Sequence, residues 1–92
     1  MSILESKLQA NMIKHAKGYN FITLKIIRCN INGMSDLILL KNGKTTFVEV
    51  KTEKGVQSEM QKYVCKQLES QGFEYHLVRS MEEFKELIKK IT

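Results

Sequence analysis

Apolar positions recur along this chain with two different spacings, and the switches between them mark its elements. Over residues 2–17, Leu4, Leu8, Met12 and Ala16 return every four positions with Lys7, Lys14 and Lys17 opposite, which predicts a helix ended by Gly18. Tyr19 to Cys29 is dense in aromatic and β-branched residues and reads as a strand, broken by the turn-forming Asn30-Ile31-Asn32-Gly33. A second strand is expected from Ser35 to Lys41 and a third from Lys44 to Thr52, joined by Asn42-Gly43, a strong short-range hairpin signal. After the loop 53–57, a second helix starts at Ser58, carries Met60, Val64 and Leu68 on one stripe and closes at Gly72. Glu74 to Arg79 is a fourth strand, and Ser80 caps a last helix whose apolar face is Phe84, Leu87, Ile88 and Ile91.

The order αβββαβα predicts an α/β fold. The third and fourth strands, joined through a helix, should lie parallel, so the four-stranded sheet is mixed and helices flank it on both faces. The hairpin supports this, with Leu37, Leu39, Val48 and Val50 on one face and Ile38, Leu40 and Phe47 on the other, as a sheet buried from both sides requires. With 92 residues and 42% of them hydrophobic, the chain suffices for one domain with one core, residues 1–92, and is too short for two.

Charge adds a bias toward a polyanionic partner. The formal net charge of +5 is unevenly spread, with Lys7, Lys14, Lys17, Lys25 and Arg28 against only Glu5 in the first 32 residues. A solvated lysine face produces the same numbers, so charge alone names no chemistry. Cys29 and Cys65 each sit in an apolar run and are expected to be small buried hydrophobes of a reducing compartment. His15 and His76 are isolated from each other and from both cysteines, which leaves no structural zinc site. No signal peptide and no membrane-length apolar run is present, and a cytoplasmic, intracellular location is expected.

The hairpin also carries charge where a doubly buried sheet should carry none. Counting outward from Asn42-Gly43 pairs Lys41 with Lys44, Leu40 with Thr45, Ile38 with Phe47 and Asp36 with Glu49, so the only Asp in the chain faces a Glu. Directly opposed side chains have Cβ atoms roughly 5 Å apart on the same sheet face, and Lys51 follows two residues on. Two carboxylates that close repel unless a positive charge lies between them, and a hard divalent cation such as Mg2+ fits oxygen ligands. Glu-Val-Lys at a strand end is by itself commonly a solvated surface pattern, so the weight rests on the register.

Two residues on the helices fit the same site. Glu5 lies angularly within the apolar stripe of the first helix, where a carboxylate needs a partner, although a glutamate at a helix start is equally favoured by the macrodipole. Gln61 borders the stripe of the second helix but also completes a capping box with Ser58, the device Ser80 and Glu83 repeat.

Together Glu5, Gly33-Met34-Ser35-Asp36-Leu37, Phe47-Val48-Glu49-Val50-Lys51 and Ser58-Glu59-Met60-Gln61 resemble the VRR-NUC family of the PD-(D/E)xK nuclease superfamily, over nearly the whole chain. The family's motifs are short, and their order and spacing carry the likeness. The resemblance implies a restriction-endonuclease-like core and a metal-dependent DNA endonuclease using Mg2+ or Mn2+. Asp36 and Glu49 would bind the metal with the backbone carbonyl of Val50 as a further ligand, Lys51 would orient or activate water, and Glu5 and Gln61 match supporting positions. Where the family motif has proline this chain has Ser35, a change in backbone stiffness rather than in chemistry. Members occur in phages, bacteria and eukaryotes as repair-protein domains or free-standing, and this chain looks free-standing. Likeness to small junction-resolving enzymes of the superfamily implies a homodimer acting on branched DNA such as four-way junctions, with Lys7, Lys14, Lys25 and Arg28 as phosphate contacts. The rival expectation is a non-catalytic basic nucleic-acid-binding domain in which Asp36, Glu49 and Lys51 form a structural charge cluster, and a third is a protein-interaction domain indifferent to DNA.

Overall fold

The computed structural model describes residues 3–92, so the expected helix start at Ser2 lies outside the described residues. Its elements are α1 (Ile3–Gly18), β1 (Ile22–Lys25), β2 (Leu37–Lys41), β3 (Lys44–Val50), α2 (Glu59–Ser70), β4 (Glu74–Val78) and α3 (Met81–Ile91), the expected αβββαβα order. The strands form one sheet in the order β1-β2-β3-β4, antiparallel except for the parallel β3–β4 pair.

Asn42 (φ 54°) and Gly43 (φ 75°) both take the left-handed conformation, the requirement of a two-residue turn whose twist matches the flanking strands. The turn sets the register Lys41↔Lys44, Leu40↔Thr45, Ile38↔Phe47 and Leu37↔Val48. One sheet face presents Leu37, Leu39, Val48, Val50 and Val78, and Met12 and Ala16 of α1 with Phe84, Leu87 and Ile88 of α3 close the core over it. On the other face α2 packs against β4, and Val64 is its buried anchor. Phe47 there meets Phe73 edge to face, with ring centroids 5.4 Å apart. On the outer strand of that face Ile22 and Leu24 stay exposed.

Several expected features shift. The first strand spans four residues instead of eleven, because its partner β2 begins only at Leu37. Beyond Lys25 one further bond, from Ile26 N–H to the carbonyl of Asp36 at 2.8 Å, is made before the chain leaves the sheet. Cys29 falls in that departed segment and is exposed rather than buried, while Cys65 is half-buried, and both are free thiols. The second and third strands also end short of the expected limits, placing Asp36, Lys51 and Thr52 just beyond the ladder.

In α1, Leu4 is 73% exposed. Strict four-residue spacing drifts about 40° per step around a helix, so Leu4 stands about 120° from Ala16. The buried line runs instead through Gln9, Met12 and Ala16, with Glu5, half-buried, at its start. In α2 Met60 is likewise exposed, although its backbone is closely packed.

Candidate active site

Asp36 enters the site because β2 starts one residue later, which frees its side chain to turn across the hairpin end. Its Oδ2 accepts a hydrogen bond from the backbone N–H of Val50 at 2.8 Å. Desolvation pushes its carboxyl above the ordinary carboxylate range, opposed by that bond and by the charges of Lys51 and Lys25. An acid whose folded-state pKa is raised contributes stability that is full below its unfolded value and lost as pH rises through the folded one. Asp36→Asn keeps an oxygen for Val50 N–H and removes the charge. In chelator the variant should therefore melt above wild type, because it has no charge to desolvate, and the gap should widen as pH rises from about pH 4 toward about pH 7. Excess Mg2+ or Mn2+ should reverse the order by mass action. A variant less stable at every pH, beside a wild type indifferent to metal, would make Asp36 a purely structural hydrogen-bonding residue.

Glu49 is the deepest charged group, with 0% of its surface exposed. β3 pairs on both sides, and Glu49 lies on the α2 side of the sheet with Phe47, next to Tyr75 of β4. The Tyr75 hydroxyl donates to Oε1, and Gln57 Nε2 donates to the same oxygen at 3.5 Å. Oε2 is buried and has no hydrogen-bond partner among the described residues. The nearest cation is Lys51, whose Nζ stands 4.0 Å from Oε2 and which is itself mostly buried. Burial first, then the bond to Glu49, pushes the Tyr75 hydroxyl far above the ordinary phenol range, so it stays a proton donor at neutral pH. Burial also pushes the Cys65 thiol up to about 11, which leaves it protonated and outside any nucleophilic chemistry at neutral pH.

The segment beyond β3 is tied down from β4. Arg79 Nη1 donates to the carbonyls of Thr52 (2.9 Å), Glu53 (3.3 Å) and Gly55 (2.5 Å), ordering the loop that carries Gln57. Gln61 is committed to the cap: its Oε1 accepts from Ser58 N–H at 2.8 Å while its own N–H donates to Ser58 Oγ at 3.1 Å. Its backbone still matters, because Gly33 (φ 85°) lies so close that a Cβ there would stand 2.7 Å from the Met60 carbonyl and 2.9 Å from Gln61 N. That approach lays the first turn of α2 against the chain leading into Asp36.

The structure thus brings Asp36, Val50, Glu49 and Lys51 together. Among the described residues no three His, Cys, Asp or Glu side chains converge on one point as a metal-holding group. The expected phosphate contacts Lys7, Lys14, Lys25 and Arg28 are all exposed, and Arg28 lines a cleft of about 290 Å³ formed by the β1–β2 connection with Asn32 and Gly33. Tyr75, Gln57 and Arg79 were not legible as site residues. Tyr75 reads as an ordinary strand aromatic, and the sequence signal that would have helped is only its diagonal position to Glu49 across a parallel pair. Gln9 was also missed: it is fully buried on α1 and neither amide atom has a hydrogen-bond partner among the described residues.

The model of the VRR-NUC domain family matches residues 4–82. A solved structure described as a VRR_NUC domain superposes with a TM-score of 0.82 over 92% of this chain and 94% of its own, at 23% identity. At that identity the likeness speaks for the fold. Among curated proteins none is significantly similar in sequence.

Proposed function

The chain belongs to the VRR-NUC domain family, a nuclease family, and from that membership and the site geometry we propose that it is a divalent-metal-dependent DNA endonuclease. The observation that carries the reading is the Glu49 carboxylate, wholly buried, held by donors on one oxygen and without a hydrogen bond from any described residue on the other, beside Asp36 and Lys51. A buried carboxylate oxygen with no donor is costly, and a hard cation is the partner that offsets the cost and suits two carboxylates with the Val50 carbonyl.

Asp36, Glu49 and the Val50 carbonyl would hold Mg2+ or Mn2+, which when bound would polarise a phosphodiester oxygen and ease deprotonation of water. Lys51 aligns the attacking water or neutralises charge growing on the non-bridging oxygens. The P–O bond to the leaving sugar breaks as the water oxygen bonds to phosphorus. Glu5 supports the site from α1, and Gln61 acts through the cap that fixes the first turn of α2. Lys7, Lys14, Lys25 and Arg28 contact phosphates, so binding should weaken steeply with salt.

Branched DNA, four-way junctions above all, is the proposed substrate, with a homodimer placing two sites for two cuts. The exposure of Ile22 and Leu24 on the outer strand is compatible with such pairing. Incubation with linear, flapped and four-way DNA, with Mg2+, Mn2+ or chelator, tests the reading, and sedimentation at micromolar protein tests the dimer. Metal-dependent cleavage is expected, greatest on the four-way substrate, from a particle of twice the chain mass. The rival of a non-catalytic nucleic-acid-binding domain draws support from the Val50–Asp36 bond, a structural use of the carboxylate. DNA binding unchanged by chelator, with no cleavage in any metal, would establish that rival.

A further inference from the structure

We infer that Tyr75 is a positioning residue, which locks the Glu49 carboxylate so that Oε1 is spent on protein donors and Oε2 is presented to the cation. The inference rests on the metal-dependent reading above and extends it to a residue on a strand outside the hairpin.

A free glutamate side chain can rotate to offer either oxygen, or both, to a ligand. Glu49 cannot do so without breaking its bond from the Tyr75 hydroxyl, and both groups are buried, so no water replaces a lost donor. Gln57 Nε2, at 3.5 Å, adds a weaker donor to the same oxygen. Both donors therefore converge on Oε1, while Oε2 lies on the side of Lys51 with no hydrogen bond from any described residue. The arrangement is held at both ends. The Tyr75 backbone is fixed by the parallel pairing Phe47↔Tyr75, and Gln57 by the loop that Arg79 fastens. A partner that orients a ligating side chain typically changes metal affinity about 10- to 100-fold when removed.

Tyr75→Phe deletes the hydroxyl and keeps the ring. Manganese titrations followed by the electron-spin resonance of free Mn2+ should show binding weakened about tenfold or more. Metal-free DNA binding in chelator should stay within about twofold of wild type, because the hydroxyl meets Glu49 and Gln57 and none of the proposed phosphate contacts. In a Glu49→Asp background, whose shorter side chain withdraws the carboxylate from the hydroxyl, adding Tyr75→Phe should change Mn2+ affinity by less than about twofold. Gln57→Leu, which leaves the strand untouched, should weaken Mn2+ by a smaller factor and serves if Tyr75→Phe folds poorly. Wild-type Mn2+ affinity in both Tyr75→Phe and Gln57→Leu overturns the positioning role alone, as does an equal loss in the Glu49→Asp background. A wild-type chain that takes up no Mn2+ overturns the metal-dependent reading itself, and the positioning role with it.

Discussion

Lys51→Ala is expected to slow DNA cleavage by about 10²- to 10⁴-fold while Mn2+ binding survives, the range seen when a group acting on the attacking water or on developing charge is removed. The reasoning is geometric. Lys51 follows Val50 at the end of β3, and its ammonium stands 4.0 Å from Oε2 of Glu49, the oxygen that takes no hydrogen bond among the described residues. An ammonium coordinates no cation, and beside the same carboxylate it repels one, so its removal should leave metal affinity equal or slightly higher. The metal-free protein should lose stability, since Glu49 then keeps a buried charge with no neighbouring cation at that distance. Calorimetric Mn2+ titration beside a cleavage assay separates the effects. Full activity in Lys51→Ala, or loss of Mn2+ binding, would refute the assignment of the ammonium to water and transition state.

Gly33→Ala should be the most damaging single-methyl change in the chain, on the order of 3 kcal/mol and a fall in Tm of more than about 10 °C. Two costs add. The residue has a φ of 85°, a region where an L side chain is strained by about 1–2 kcal/mol. Its new Cβ would also sit 2.7 Å from the backbone carbonyl of Met60 and 2.9 Å from Gln61 N, neither of which can yield without moving the first turn of α2. Gly43→Ala isolates the first cost, for that glycine has a φ of 75° and nothing within 4 Å of its Cβ position. The comparison by thermal melts should show Gly33→Ala losing at least about twice as much as Gly43→Ala. Equal losses would mean that α2 does not bear on Gly33, and that this contact does not place the helix beside Asp36.

Much of this was legible along the chain because it depends on local rules. The Asn42-Gly43 turn imposes a register through the backbone twist its two left-handed residues create, and that register, which runs to Leu37↔Val48, brings Asp36, Glu49 and Lys51 to one end of the hairpin, with Asp36 just past the last ladder pair. Caps are four-residue devices, so the Ser58–Gln61 box that starts α2 could be read directly; at α3 Ser80 Oγ accepts from Glu83 N–H as expected, but the Glu83 carboxylate takes Arg79 N–H at 2.7 Å and does not close the box. Apolar spacing indicated the order of elements and the core of α3, where Phe84, Leu87 and Ile88 are buried as expected.

What tertiary structure alone decided involves residues far apart in sequence. Where β1 ends depends on where β2 begins, so no pattern within residues 19–29 could reveal that Cys29 and Ile27 would lie exposed. The choice of Gln9 over Leu4 for the inner line of α1 was set by the sheet the helix rests on. The meeting of Glu49 with Tyr75 joins positions 26 residues apart through a parallel pairing that composition does not encode. Local sequence determined which carboxylates stand at the hairpin end, since a turn acts through its own few dihedrals. Only the packed fold decided which oxygen of Glu49 takes the hydrogen bonds and which is left facing Lys51, because burial and hydrogen-bond geometry arise when distant strands close together.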